Sequence, residues 1–166
     1  MDGIRIGGTF VIENHDPNWK LKWREIARNL VVNAGIYNLM DTGVLTATQV
    51  TAWFLGPTAA SPSPAAADTM GGHGGWTEFT GYSQTVRQSW TSARTTNVIS
   101  NASNLASFAI NTTGTLGGAF VTDSSTKGGG VGTLFCCAAN SGGNRSVSSG
   151  DTVTVRYSFS VADDGV

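Results

Sequence analysis

Charged side chains are scarce in this sequence, and the few that are present nearly cancel. Asp, Glu, Lys and Arg make up 13% of the 166 residues, and ten basic against eleven acidic residues leave a formal net charge of −1. That share is about half of what a soluble domain usually carries. A general nucleic-acid binder shows a basic excess on one face, so we expect no nucleic-acid partner. Because a free monomer usually keeps its net charge away from zero, the balance suggests that neighbouring molecules cover much of the surface.

Long apolar runs and a charged leader are also missing. No stretch approaches the ~18 apolar residues that span a membrane, and the first residues do not resemble a secretory signal. We therefore expect a protein that is made in the cytoplasm and makes no membrane contact. The two cysteines, Cys136 and Cys137, are adjacent, so they cannot form a disulfide framework. In a strand they would point to opposite faces, which predicts two unpaired thiols, at least one of them buried.

Patterns for catalysis or metal binding are lacking as well. The two histidines, His15 and His73, do not stand at the spacings of a zinc site, and the cysteines do not supply one. The Gly-x-Ser-x-Gly nucleophile elbow and the Walker phosphate loop do not occur. The sequence therefore predicts a protein that is not an enzyme and that needs no cofactor or metal.

Gly, Ser, Thr, Asn and Ala replace the missing charge, as in turn-rich β proteins. In the clearest strand, 152–161, apolar residues such as Val155 and Tyr157 alternate with polar ones such as Thr154 and Arg156. A period of two places one face in the core and the other toward water. Turn signals separate this strand from others, so we predict a mostly β protein, an antiparallel β-sandwich with jelly-roll or Greek-key-like order. The other predicted strands are 8–12, 49–55, 88–94, 97–101, 107–111, 118–122 and 132–138.

One segment, 19–40, follows the helical period instead. From Trp23 onward its apolar residues recur three and four apart, and an Asp-Pro pair that can start a helix precedes it. The prediction is one α-helix near the N-terminus, within a single domain at 19–166 that an N-terminal arm at 1–18 precedes.

The one dense basic cluster of the chain lies in the same segment. It consists of Lys20, Lys22, Arg24 and Arg28, with Glu25 inside it. The solvated face of a helix accounts for such a run, and an electrostatic contact with an acidic partner is the alternative. The sequence leaves both interpretations open.

A stretch at 57–75, rich in Pro, Ala, Ser and Gly, is predicted as a long loop of the same domain. Loops beyond ~12–15 residues tend to be functional or disordered, so this loop is a candidate for partner binding. His73 lies among four glycines at its end, and Trp76 follows. Trp19 and Trp76 flank irregular segments and are candidates for exposed anchors, whereas the other three tryptophans are expected to pack in the core.

Short motifs follow one another in a specific order along residues 19–161, which is most of the chain. The motifs are 29–35 (NLVVNAG), 50–56 (VTAWFLG), 66–70 (AADTM), 73–79 (HGGWTEF), 87–90 (RQSW), 114–134 (GTLGGAFVTDSSTKGGGVGTL) and 150–157 (GDTVTVRY). This order resembles a family of small structural proteins encoded by tailed bacteriophages. Where a role is suggested in that family, it is capsid decoration by a cement protein on the outer surface of the head. The resemblance thus implies a virion subunit whose partner is the major capsid protein, and it brings no catalytic residues.

A cement protein needs a rigid body and an arm that reaches across the joint between neighbouring capsomers, and residues 1–18 or the loop at 57–75 could be that arm. The residues singled out for the capsid contact lie in or beside the N-terminal arm, and they are Arg5, Phe10, Trp19, Lys20 and Arg24. In the loop, His73 and Trp76 are the candidate partner-binding residues. Two other functions stay open: a tail or fibre component that stacks host surface glycan on Trp76, and a hydrolase, for which the chain offers few acidic residues.

Overall fold

The computed structural model describes residues 3–163, which form a mostly β protein. The regular structure of the described chain consists of antiparallel sheets and a single helix, so the predicted β-sandwich with one helix is confirmed. The strands are β1 Ile4–His15, β2 Leu21–Arg28, β3 Leu30–Val31, β4 Phe54–Thr58, β5 Gln88–Ser89, β6 Ala93–Thr95, β7 Val98–Ser100, β8 Ala106–Ala109, β9 Gly114–Leu116, β10 Gly118–Thr122, β11 Leu134–Ala139, β12 Arg145–Val147 and β13 Thr152–Asp163, and the helix α1 is Asn33–Gly43.

The strands form two main sheets. Sheet A has the order β2-β1-β13-β7-β6, with β8 also paired to β13, and sheet B has the order β3-β11-β10-β4-β5. A short hairpin of β12 with β9 accompanies them. The inward side chains of both sheets form the main core, among them Phe10, Ile12, Phe108, Val155 and Tyr157 from sheet A and Leu55, Val121 and Cys136 from sheet B.

The adjacent cysteines confirm the prediction made from their positions. Cys136 and Cys137 are both free and buried. Cys136 belongs to the main core, whereas Cys137 lies on the other side of β11 in a second apolar cluster. Burial raises the pKa of the Cys136 thiol to about 12, so the group is un-ionised at neutral pH.

The predicted helix at 19–40 is wrong in its first half, because residues 21–28 form β2 and α1 begins at Asn33. The Asp16 carboxylate accepts hydrogen bonds from the backbone N–H groups of Asn18, at 2.9 Å, and Lys20, at 3.0 Å. This local arrangement reverses the chain into a hairpin between β1 and β2. The Asp-Pro pair therefore marks a turn, and it does not cap a helix.

A buried acid hides the strand period of β2. Its inward positions are Trp23, Glu25 and Ala27, and its outward positions include Arg24 and Ile26. A glutamate normally faces solvent, so an acidic residue at the middle inward position hides the alternation of apolar and polar residues in the sequence. What remains is an apolar spacing that matches a helix equally well.

The predicted N-terminal arm at 1–18 is also wrong for the residues the structure describes, 3–18, because β1 lies in the middle of sheet A. It pairs with β13 over twelve residues on one side and with β2 on the other. Gly8 interrupts its apolar pattern for a steric reason: a Cβ there would lie 2.6 Å from the ring of Tyr157. The close approach of that ring requires glycine, and the strand continues through it.

The loop predicted at 57–75 packs on its own fold. Its first two residues belong to β4, and the chain returns to that strand where the Phe79 N–H donates to the Pro57 carbonyl at 2.8 Å. Met70 and Trp76 join Phe120 of β10 in the second apolar cluster. This cluster covers the outer face of sheet B.

Buried carboxylates fix further loops to sheet A. Glu25 accepts hydrogen bonds from the Gly142 N–H and the Ser141 hydroxyl, both at 3.0 Å, and from Arg145 Nε. Burial alone would raise the pKa of this carboxyl, but the hydrogen bonds together outweigh it and hold the pKa below its ordinary value. The loop that carries Arg145 is thereby attached to β2.

Asp151 repeats this arrangement at the start of β13. Its Oδ2 atom accepts from Lys22 Nζ at 2.6 Å, and from Asn14 Nδ2 and the Ser148 N–H at 2.9 Å. Burial opposes ionisation, yet these donors hold the pKa of the Asp151 carboxyl below its ordinary value. Asp151 thus joins β2, β1 and the turn before β13.

A buried ion pair holds the loops beside sheet B. Arg87, 1% exposed at its side chain, donates to Oε2 of Glu78 through Nη2 at 2.8 Å and Nε at 3.1 Å. It also donates to the carbonyls of Ser124 and Gly129. Glu78 in turn accepts from the Gly128 N–H at 2.7 Å. One ion pair therefore orders the segment at 124–130.

We expect the stability of the fold to fall in acid through Glu25 and Asp151. The pKa of each carboxyl is lower in the folded chain, so the unfolded chain takes up protons first as the pH falls. The stabilisation is complete above the ordinary pKa values, 4.5 for Glu25 and 3.8 for Asp151, and is lost as the pH falls through the lower folded values. Urea unfolding from neutral pH to about pH 2 measures this loss.

The matched variants separate this effect from general acid sensitivity. Glu25→Gln combined with Asp151→Asn lowers stability at neutral pH and flattens its dependence on pH in the acid range. Asp41→Asn changes an exposed carboxyl of α1 and leaves the dependence as it is. An acid dependence in the double variant as steep as in the wild type would contradict the assignment.

We expect Arg87→Met to lower the free energy of unfolding by about 3–5 kcal/mol, because it leaves the Glu78 carboxylate buried without its cation. The added change Glu78→Gln removes that charge, so the double variant loses less than the sum of the single ones. Chemical denaturation measures all three. Arg94→Met, at an exposed arginine of β6, is the control and changes stability by less than about 0.5 kcal/mol. Equal losses for Arg87→Met and Arg94→Met would refute the role given to the pair.

Candidate interaction surface

The outer face of sheet A is only partly covered: Arg24, Ile26 and Arg28 of β2 are exposed there, whereas Val11 and Thr154 are buried. Its outward positions follow from the register of three strands. Val11 of β1 lies between Ile26 of β2 and Arg156 of β13. Thr9 lies in the same way between Arg28 and Ser158, one row further along. The outer side chains therefore form rows across the sheet.

Four arginines occupy this face, which we call the basic face: Arg5, Arg24, Arg28 and Arg156. Strand residues rise about 3.4 Å each, so Arg24 and Arg28 stand about 14 Å apart along β2. Glu13, the partner of Arg24 in the register, is eight residues from Arg5 along β1, or about 27 Å. Arg156 lies two strands from β2, about 10 Å across the sheet. The guanidinium groups thus form an extended stripe.

Most of these arginines have no partner within the described chain. Arg24 Nε lies 3.5 Å from Glu13 Oε1, whereas Arg5, Arg28 and Arg156 form no ion pair or hydrogen bond through their side chains with residues 3–163. Most basic side chains elsewhere are engaged. Lys22, Arg87 and Arg145 form ion pairs, and Arg94 and Lys127 donate to carbonyl oxygens. Unpaired positive charge is therefore concentrated on the basic face.

Apolar side chains lie between the arginines. Ile26 is 51% exposed, and Leu105 is 43% exposed. Together with Val11, Arg24 and Arg156, Leu105 lines a small depression of about 70 Å³. Apolar side chains therefore stand between the guanidinium groups, and Glu13 and Thr154 line the same depression.

A shallow groove continues the face toward the start of β1. It has a volume of about 360 Å³ and is lined by Arg5, Arg28, Gly7 and the hydroxyl-bearing Ser158 and Ser160. A Cβ at Gly7 would meet nothing within 4 Å, so the floor of the groove is open there. Positive charge and hydroxyl groups make this groove suited to carboxylates or other anions.

The hairpin turn between β1 and β2 forms one rim of the face. Trp19 is 66% exposed in this turn, where its backbone φ is +60°. Its ring centroid lies 5.4 Å from that of His15, whose Nε2 is 3.8 Å from Glu13 Oε2. Lys20 follows and is exposed. The Asp16 turn described above holds both residues at the rim.

The residues predicted for a capsid contact are thus partly brought together. Arg5 and Arg24 lie on the basic face, and Trp19 and Lys20 lie at its rim. Phe10 does not belong to the surface: it is fully buried and stacks on Tyr157 with ring centroids 4.3 Å apart. Its place next to Val11 explains the error, because neighbours in a strand point to opposite faces.

Two residues of the basic face were missed by the prediction. Arg156 was recognised as an outward residue of its strand, but nothing in the sequence places that strand beside β1. Arg28 was assigned to the polar side of the helix. The strand register that unites them joins segments more than a hundred residues apart, and local patterns carry no signal for it.

The second predicted set, His73 and Trp76, lies beside sheet B. The two rings stack at 3.7 Å between centroids, and His73 Nδ1 lies 3.1 Å from the Trp76 carbonyl. Trp76 is only 4% exposed and packs on Phe120. The expectation of an exposed anchor is therefore wrong for Trp76, because the glycines around it let the chain fold it inward. The exposed indole is that of Trp19.

Residues 3–163 were predicted to need no metal and no membrane, and their side chains bear on both points. Within residues 3–163, no three His, Cys, Asp or Glu side chains are grouped so that they could hold a metal ion. No helix in that range is long and apolar enough to cross a membrane. A cavity of about 280 Å³ lies beside Trp76 and Arg87, but the polar groups of Arg87 are taken up by Glu78 and by backbone carbonyls.

Comparisons with known proteins add no relative. No protein-family model matches the chain, and no curated protein matches it. The surface chemistry and the resemblance of the sequence motifs are therefore the basis for a proposed function.

Proposed function

We propose that the chain is a structural protein of a bacteriophage virion, a head decoration protein. In this role it binds the outer capsid surface through the major capsid protein and stabilises the joints between capsomers. The observation that carries the proposal is the difference between the two outer sheet faces. Sheet B is covered by the protein's own loop, whereas sheet A presents four arginines, three of them without an ion pair or side-chain hydrogen bond in residues 3–163, together with the exposed Ile26 and Leu105. A face of this kind fits a protein partner.

The construction of sheet A suits a protein that holds neighbours together. β1 and β13, the first and last strands described, pair over twelve residues in the middle of the sheet. Glu25 and Asp151 tie β2 and the adjoining loops to these strands. A force applied to the basic face would therefore act on the best-paired part of the fold. The proposed role needs no catalysis, cofactor, nucleic acid or membrane.

Self-association belongs to the proposal, as a homotrimer or homodimer. Tyr37, Met40, Val44 and Leu45, on α1 and just after it, are exposed by more than half. A contiguous apolar patch on a soluble protein usually marks an interface. Asp41 is the one charged residue at 33–53, so this patch offers little to a charged partner. A second copy of the chain, with the same uncharged surface, is the occupant we propose.

A tail or fibre component that binds host surface glycan is the alternative. The sequence suggested that the sugar stacks on Trp76, but Trp76 is buried. The observation in favour of the alternative is now Trp19, an exposed indole in a hairpin turn held by two hydrogen bonds. Indole rings of this kind stack on sugars. A glycan-binding component would lie in the tail or fibre and a decoration protein on the head, so the two roles predict different places in the virion.

The position of the chain in the particle tests the proposal. We expect hundreds of copies in the head fraction when virions of the phage that encodes the chain are separated into heads and tails. Quantitative mass spectrometry of the two fractions measures this. A few copies confined to tails would favour the glycan-binding alternative. If neither fraction contained the chain, the assignment to the virion would be refuted.

Sedimentation of the purified protein tests self-association. We expect an oligomer that dissociates in the double variant Met40→Glu, Val44→Glu, because two buried carboxylates would oppose an apolar interface. The control pair Thr91→Glu, Ala102→Glu adds the same charge at other exposed positions and keeps the oligomer. A monomeric wild type, or equal behaviour of the two variants, would contradict self-association through this patch.

A further inference from the structure

We infer that the basic face is the docking surface, and that its partner is an acidic protein surface whose carboxylates are spread along about 27 Å. The inference rests on the proposed function for the identity of the partner, the capsid. It adds the side of the molecule that docks, the chemistry that is recognised and the residues that read it. Residues 4–15 take part as strand β1 of the sheet and not as a free arm, and the 57–75 loop, which the sequence also favoured, is not a docking element.

The spacing of the arginines excludes one small anion as the ligand. Arg24 and Arg28 stand about 14 Å apart on β2, and Arg5 lies about 14 Å beyond the row of Arg28. A single phosphate or carboxylate cannot contact all four arginines, because they are spread along about 27 Å of the sheet. The stripe instead matches a series of anionic groups on one extended partner.

The unpaired state of the arginines makes binding favourable. Within residues 3–163, Arg5, Arg28 and Arg156 have no ion pair to give up when a partner carboxylate approaches. A guanidinium group binds a carboxylate through two parallel hydrogen bonds, which adds geometric specificity to the attraction. The strands hold the Cα positions at fixed spacing, so little backbone ordering is required on binding.

The remainder of the face favours a protein over a nucleic acid. Ile26, Leu105 and Val11 lie among the arginines, and apolar side chains together with arginine are typical of protein interfaces. Glu13 stands at one end of the stripe beside Arg24, where it would repel a phosphate backbone. The chain as a whole has a formal net charge of −1, which also opposes a polyanion of uniform charge. A patch of acidic and apolar residues on a capsomer is therefore the complementary surface.

Rebinding of the purified protein to heads from which it has been stripped tests the inference. We expect Arg28→Glu and Arg156→Glu each to weaken binding about tenfold or more, because each places a negative charge opposite partner carboxylates. The control is Arg94→Glu, the same change at an exposed arginine of β6 whose register position belongs to the opposite side of sheet A. We expect it to stay within about twofold of the wild type. Binding of the wild type weakens as NaCl is raised.

Folding of the variants is controlled independently. Arg28 and Arg156 have no ion pair or hydrogen bond in the described chain, so we expect the thermal unfolding midpoints of both variants to match that of Arg94→Glu. The conservative changes Arg28→Lys and Arg156→Lys keep the charge and retain most of the binding. Equal affinity of Arg28→Glu, Arg156→Glu and wild type for heads would overturn the docking surface, while head binding itself would leave the decoration role intact.

A second probe keeps the inference testable if heads do not bind the wild-type protein, which would count against the decoration role. Poly-glutamate and a DNA duplex of equal charge are compared at the same ionic strength. Binding of poly-glutamate that is lost in the double variant Arg28→Glu, Arg156→Glu supports an acidic protein partner. Preference for the duplex would assign the face to nucleic acid and overturn the inference, as would binding of neither probe.

Discussion

Twelve consecutive residue pairs join β1 to β13, from Ile4 opposite Asp163 to His15 opposite Thr152. This pairing places the two ends of the described chain side by side in the middle of sheet A, and the positions of all other strands of the sheet follow from it. It also sets which residues point inward. Phe10 meets Tyr157 in the core, so their neighbours Val11 and Arg156 necessarily lie on the outer side. The main core and the basic face are two consequences of one register.

The distribution of charge on the surface depends on which basic side chains the buried acidic residues engage. The chain has few charged residues, and several acidic ones are used inside: Glu25, Glu78 and Asp151 each accept several hydrogen bonds and face a basic partner. Buried carboxylates without such partners would be strongly destabilising. Since these acids engage Lys22, Arg87 and Arg145, five arginines are left over, and all of them except Arg94 of β6 lie on the outer face. A nearly neutral chain can therefore carry a distinctly basic surface.

The sequence predicted those parts of the fold in which side-chain character and position agree. β13 was evident because its inward positions are uniformly apolar, and β10 was predicted with its observed bounds. β2 failed because Glu25, an inward residue, is acidic, and its carboxylate is satisfied only by a loop 116 or more residues away. The burial of Trp76 was not predicted, because flanking glycines indicate an irregular segment whether that segment is exposed or packed against a sheet. For the site, Arg5 and Arg24 were named, but Arg28 and Arg156 join them only through the register of distant strands.

The contrast between the two outer faces favours a sheet, and not a loop, as the proposed docking element. The 57–75 loop has the composition of a binding segment, but Met70 and Trp76 commit it to the outer face of sheet B. Binding through this loop would first have to expose those side chains to water, at a cost of about 1.5–3 kcal/mol for each one. The basic face requires no such rearrangement, because its arginines already project from paired strands. A surface whose charges are spaced before the partner arrives loses less conformational entropy on binding, and this is the property that a protein clamping adjacent capsomers needs.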